Sequence, residues 1–573
     1  MTNSYKPNGL ILLMFLLAGI GQLNAQTYVT MGVPDTLSGT TFNLTLKDTM
    51  AQLRSGNQTI TGGINQNKFW GPTLMMYKGA NVNFNVKNKL NDSTTIHWHG
   101  MHLPAVMDGG PHQIIPPGTT WQPYWTVKNQ ASTLWYHPHL HMMANEQITK
   151  GLGGFIIIRD AAERALALPR TYGVDDIPVV FTSRRYDAAN QFSYTNVAYG
   201  DYLLSNGTPS AQISLPKQFV RLRLLNAEIE RGYDIGFSDN RTFYIIGNAG
   251  GLLNAPVSVT RVKLMVGVRV EILVNLSNDQ VGSSIDLKAY NGGQTFGFPG
   301  GEPATSGQFG SLLNNTTFNL LHINVVAPTA NAITALPSTL VNNTYWTAAD
   351  ATISRTVSIT DGNPGPGSVP FRFDNTAFAF NTINKTIPLN SVEKWTIKNN
   401  NVFGHAFHIH DVEFKIVDRN GVTTAVGSHE SGWKDVMYVP NGETVSFVAK
   451  FDDYADDTHP FMYHCHFALH EDDGMMGQFV VSSATSVKAA EKIPVNFSLF
   501  PNPAQDKIFI NVDNNIEVYY VTVYNAGGKA VLMLPMPDIK KGITIAELAK
   551  GTYYLQVMDL KTKSVGTQKF IKE

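Results

Sequence analysis

The chain has 573 residues, too many for one ordinary core, and its length points to three or four domains. Its 43 Lys+Arg against 44 Asp+Glu leave a net charge of -1, which excludes a basic footprint for nucleic acid or an anionic membrane surface. Hydrophobic content of 43% with 49 Gly and 29 Pro fits a turn-rich, all-β globular chain and excludes a disordered one.

Residues 1–25 read as a signal peptide, with Lys6 ahead of an apolar run from Gly9 to Ile20 and a cleavage site at Leu23-Asn24-Ala25. The run is shorter than the ~20 residues of a spanning helix. The expectation is therefore an exported, soluble protein with no transmembrane segment. Its one cysteine has no partner for an intramolecular disulfide and is free for a metal.

Strand-like alternation, as in Asn81-Val82-Asn83-Phe84-Asn85-Val86, marks residues 26–160 as a first β-sandwich. Two His-x-His pairs interrupt it, His97/His99 and His137/His139, each beside a tryptophan. In an extended segment both members of such a pair share a face and can serve one metal or two adjacent ones. Residues 161–330 form a second β-rich unit with no Cys and with His only at its far end, at His322. It lacks a soft-metal site, and its expected role is architectural.

The third unit, 331–485, starts with a turn-rich loop at 361–367 and carries His405, His408 and His410. It ends in Tyr463-His464-Cys465-His466-Phe467-Ala468-Leu469-His470-Glu471-Asp472-Asp473-Gly474-Met475. Thiolate, imidazole and thioether together make the ligand set of a blue-copper site. On an extended strand Cys465 faces one way and His464 and His466 the other, so one run can serve two metal sites. After a linker at 486–495, residues 496–573 alternate again as a small β-sandwich free of His and Cys.

Four histidine motifs in this order, spread over three β-domains, resemble the multicopper oxidases: laccases, ascorbate and bilirubin oxidases and bacterial cuprous oxidases. The similarity runs from about residue 40 to 480. It implies three cupredoxin-like domains, an oxidoreductase with dioxygen as acceptor, and four copper ions. The type 1 copper would take His405, Cys465 and His470 with Met475 axial, and the type 2 copper His97 and His408. The type 3 pair would take His99, His137, His139, His410, His464 and His466. Asp108 and Glu471 match carboxylates that the family uses to deliver protons. Ala406 and Asp411 depart from the family's usual Pro and Gly without removing a ligand, while His102, His112, His141, His429 and His459 fit no ligand position.

The reductant is a small molecule or Cu(I). The interval Ser354–Phe403 has no methionine, unlike the Met-rich insertion of cuprous oxidases, which favours a laccase-like enzyme acting on phenols or aromatic amines. Against this, Trp433-Lys434-Asp435-Val436-Met437 resembles the segment beside the type 1 site in cuprous oxidases, making Asp435 and Met437 candidate substrate residues. A copper-binding scaffold without turnover is the reading from another class. The tail, from Phe500-Pro501-Asn502-Pro503-Ala504 to Gly551-Thr552-Tyr553-Tyr554-Leu555, is similar to type IX secretion sorting domains. That implies passage through the periplasm to the cell surface or medium, with the secretion machinery as partner.

Overall fold

The computed structural model describes residues 27–573 apart from 306, 362–370, 484–494, 513–515, 517, 527–529, 536 and 560–563. The expected leader lies outside the described residues, as do the linker up to 494 and most of the predicted loop at 361–367. Strands are the dominant element, and among the described residues they form eight sheets that pair face to face. The result is three cupredoxin-like sandwiches and a smaller fourth one. Among the described residues no helix is long and apolar enough to cross a membrane.

In the first sandwich, Thr41–Ala51 runs parallel to Asn81–Lys89. Alternate residues Phe42, Leu44 and Leu46 meet Val82, Phe84 and Val86 inside, because strand side chains alternate faces. The facing sheet places Ser132–His137 between Gly154–Arg159 and His97–His99. The second sandwich has sheets of six and seven strands, and it also captures Val29–Thr30, which pairs in parallel with Ala211–Pro216. The first domain was expected to start at residue 26; this first strand instead extends the sheet of the second.

The second sandwich reads as apolar strands with charges at every other place, and the structure shows why. Arg221, Arg223, Arg159, Asp176, Glu163 and Glu271 are buried together and pair with one another. Buried charges persist only when paired and hydrogen-bonded. The network reaches outward, since Thr133 donates to Glu271 (2.6 Å) and accepts from Arg223 (2.7 Å), tying the unit to the strand that carries His137.

In the third sandwich His405–Ile409 lies between Val436–Val439 and Asp456–Cys465. Its apolar core is continuous with that of the second domain, whereas the first domain and the tail each have their own. The tail's four-stranded sheet turns Val521 and Val523 into its own core and Tyr520 the other way, against Phe378, Phe380 and His141 of the main body. There Tyr520 Oη donates to the His141 carbonyl (3.2 Å).

Candidate metal centres

Sheet register sorts the histidines. Phe407 faces Cys465 and His408 faces His464 across one antiparallel pair, so His405 and Cys465 fall on one face and His408 and His464 on the other. In the first domain His97 faces His137 and His99 faces Trp135, so these three imidazoles share a face. The two sets meet at the junction of the first and third domains.

At the first centre, Cys465 Sγ lies 3.6 Å from His405 Nδ1 and 3.5 Å from His470 Nδ1. Two ligands held at ~2.0–2.3 Å from one ion in tetrahedral or trigonal geometry sit about 3.5–4 Å apart, so the spacing suits a metal. Asn401 Oδ1 accepts from His405 Nε2 (3.2 Å), which leaves Nδ1 as the free donor. The chain turns through the short helix Ala468–Asp472 and returns, so that Met475 O accepts from Cys465 N (3.1 Å) with Met475 fully buried. Burial lowers His405 to about 3 and pushes the Cys465 thiol up. A neutral imidazole is ready to ligate, and the thiol must lose its proton on binding.

At the second centre eight buried imidazoles converge. Most are fixed by a partner on Nδ1: His97 by Asp108 O (3.0 Å), His408 by Asp435 O (2.8 Å), His137 by Pro138 O (2.9 Å), His464 by Cys465 O (3.0 Å) and His410 by Asp108 Oδ2 (2.7 Å). His139 Nδ1 lies 3.0 Å from Glu471 Oε1. Each Nε2 is thereby aimed inward. His99 is reversed, with its Nδ1 inward, 3.0 Å from His466 Nε2 and 3.4 Å from His137 Nε2.

His139 Nε2 and His464 Nε2 stand 3.1 Å apart, with His410 completing that triple. The Nε2 atoms of His97, His408 and His410 are buried without a hydrogen-bond partner. Orphaned buried polar atoms are costly, and a metal cluster would satisfy them. Burial first, then the neighbouring imidazoles, hold His99, His408 and His410 well below the usual histidine range. Burial alone would raise Glu471, but His139 and His464 hold it down to about 2.

The ten predicted histidines and Cys465 therefore lie at one of the two centres, with Met475 buried beside the first through its backbone bond to Cys465, and Asp108 and Glu471 each touch two imidazoles of the second. Asp435 and Met437 are not where a docking ion would meet them. Asp435 is buried against Arg269 and lies 3.6 Å from His99 Nε2, at the second centre, while Met437 is fully buried in the core. The strand that opens at Val436 pairs with the His405 strand and turns Met437 inward beside Phe407.

Sequence reasoning missed three residues. Asn401 orients His405, Glu230 of the second domain lies 3.7 Å from His470 Nε2, and Arg269 holds Asp435. A signal for Arg269 exists: a charge within the run Val268-Arg269-Val270-Glu271-Ile272 must be paired if the strand is buried. Of the histidines without a ligand position, His102 bonds to Asp411 and Asp453, and His141 packs under Tyr520 of the tail.

Comparison with known proteins agrees. Family profiles described as multicopper oxidase match residues 45–163 and 349–485, and one described as a secretion system C-terminal sorting domain matches 498–573. A laccase from Pediococcus acidilactici is 30% identical, with a TM-score of 0.69 over 80% of this chain and 94% of that one. A bacterial laccase-like multi-copper oxidase, CueO from Ochrobactrum sp., is 28% identical with a TM-score of 0.69, over 79% of this chain and all of its own. The cell division protein FtsP of Sodalis glossinidius is 32% identical over 80% of this chain and 93% of its own length. With its two histidine-lined centres and these likenesses, the chain belongs to the multicopper oxidase family and carries a secretion sorting domain at its C-terminus.

Proposed function

We propose that the chain is an exported four-copper oxidase that couples one-electron oxidation of phenols or aromatic amines to four-electron reduction of dioxygen to water. The observation that carries this reading is the convergence of all ten motif histidines and Cys465 into two buried centres, where triples such as His97/His408/His410, His139/His410/His464 and His405/Cys465/His470 bring their ligand atoms within 4.8 Å of one another. His405, Cys465 and His470, with Met475, would hold type 1 copper; His97 and His408 type 2; the other six histidines the type 3 pair. Bound there, copper would supply one-electron redox chemistry at Cys465 and four-electron chemistry toward dioxygen at the histidine cluster.

The chain's own residues do the rest. Cys465 and His464 are neighbours in one strand, and the Cys465 carbonyl accepts from His464 Nδ1, so the two centres are joined by covalent bonds and one hydrogen bond. Asp108 and Glu471 lie against imidazole Nδ1 atoms of the cluster and would hold and pass protons at Oδ2 and at Oε1 and Oε2. Phe371 meets the His405 ring edge-on (4.8 Å, 77°) and the His470 ring at a tilt (4.6 Å, 51°), an aromatic lining that suits an aromatic donor.

Copper loading followed by visible and EPR spectra and oxygen uptake tests the reading. Four coppers, a blue band and faster uptake with a phenol than with Cu(I) are expected, and Cys465→Ser should remove the blue band while leaving the non-blue EPR signal. Faster turnover of Cu(I) would make it a cuprous oxidase instead. The likeness to FtsP, named as a cell division protein, favours a second reading, a copper-binding scaffold without turnover. Full copper loading with no oxygen uptake would establish that one.

A further inference from the structure

The second domain has no metal-ligating motif, yet it sends one charged side chain to the histidine cluster. Arg269 is fully buried and donates from Nε to the Thr133 carbonyl (3.1 Å) and from Nη1 to the Gly267 carbonyl (2.9 Å). It grips Asp435 with both arms, Nη1 to Oδ1 at 2.9 Å and Nη2 to Oδ2 at 2.5 Å. Such a two-bond fork fixes the plane of a carboxylate as well as its position.

Asp435 in turn touches two imidazoles. Its carbonyl accepts from His408 Nδ1 (2.8 Å), and its Oδ1 lies 3.6 Å from His99 Nε2, an atom with no hydrogen-bond partner. These two rings stack face to face at 3.9 Å, 7° from parallel. The space around the fork is full: a Cβ on Gly100 would come within 2.5 Å of Asp435 Oδ2 and 2.7 Å of Arg269 Nη2. The second-domain loop also touches a third imidazole, since a Cβ on Gly267 would lie 2.9 Å from the His466 ring.

We infer that Arg269 is a positioning residue for the copper cluster: by fixing Asp435, it dictates that His99 keeps its proton on Nε2 and offers Nδ1, while its neighbour His408 offers Nε2. Of the cluster histidines with a named Nδ1 partner, all turn Nε2 inward; His99 has no carbonyl on Nδ1 and faces a carboxylate at Nε2. A carboxylate there favours the Nε2–H tautomer, and its Oδ1 can accept that proton once the ring settles. The second domain thus acts on the metal site through an ion pair, which goes beyond a spacer. The copper part rests on the four-copper reading; the tautomer part does not.

The test uses the full chain with Arg269→Gln, Arg269→Lys and the double variant Arg269→Gln/Asp435→Asn. In the copper-free protein, 15N-histidine NMR is expected to report an Nε2–H tautomer for His99 that Arg269→Gln loses. In the copper-loaded protein, Arg269→Gln should weaken copper retention at the cluster about 10- to 100-fold against a chelator and alter the non-blue EPR signal, with the blue band unchanged. The lysine, a single point charge, should give an intermediate loss. The double variant removes the stranded buried charge and guards against misfolding; it should fold but remain weakened. An unchanged His99 tautomer in all three variants, or full copper affinity in the double variant, would overturn the inference. Failure of the unaltered chain to bind copper would sink the four-copper reading alone and leave the tautomer result to decide this one.

Discussion

At the scale of single residues the two centres are made by burial. His405 and His466 are each lowered to about 3, first by burial. Their unfolded value is ~6.5, so below that pH the unfolded chain binds protons that the folded chain refuses. The copper-free protein is therefore expected to lose stability as pH falls from about 6.5 toward 3, by up to about 1.4 kcal/mol per pH unit for each such group. Thermal unfolding at pH 7.5, 6 and 5 checks this, and a flat profile would contradict it. His102 has the opposite sign: burial opposes its charge, but the Asp411 carboxylate outweighs burial and raises it to about 10. Its contribution is complete below pH 6.5 and is lost as pH rises through 10. In His102→Gln the alkaline fall in melting temperature should be shallower than in the unaltered chain. On the proposed proton role, Asp108→Asn is expected to slow oxygen uptake and shift its pH optimum while copper content stays the same, because the titrating carboxylate is lost whereas an amide oxygen can still accept from His410 Nδ1 and the carbonyl that fixes His97 remains.

At the scale of elements, the strand Asp456–Cys465 is sensitive on its core-facing side, where Tyr463 is buried. Gly477 pairs with Tyr463, and a Cβ there would come within 2.2 Å of the tyrosine ring, just before His464 and Cys465. Gly477→Ala should cost about 1–3 kcal/mol in denaturant unfolding, as overpacking does. This strand also shows what was legible. The division of Cys465 from His464 and His466 follows from strand alternation and can be read from sequence alone. The all-β class and the histidine motifs are equally local. Asp435 was not legible in its true place. Its neighbour His99 is more than 300 residues away in sequence, and that contact depends on the register of two sheets and the docking of two domains, which no periodicity encodes. The same holds for Val29–Thr30, too short to announce which sheet it joins, and for Arg269, whose partner belongs to another domain.

At the scale of the molecule, the second and third domains share one core while the first has its own, yet the histidine cluster draws from the first and third. Copper should therefore act as a clasp between the first and third domains, adding to the smaller apolar and polar contacts that join the first to the second. Calorimetry is expected to show the first domain melting early in the copper-free chain and joining the main transition when copper is added, with a gain of about 2.7 kcal/mol at a hundredfold excess over Kd. An unmoved first transition would contradict this. The tail has a different relation to the whole. Tyr520 and Met558 are buried only because Phe378, Phe380 and His141 cover them, and the covering is mutual. Severing residues 496–573 would leave two sticky faces where one seam had been. The trimmed body should bind an apolar dye and clump at concentrations that the intact chain tolerates, so the sorting domain would also serve as a shield for an apolar face of the body.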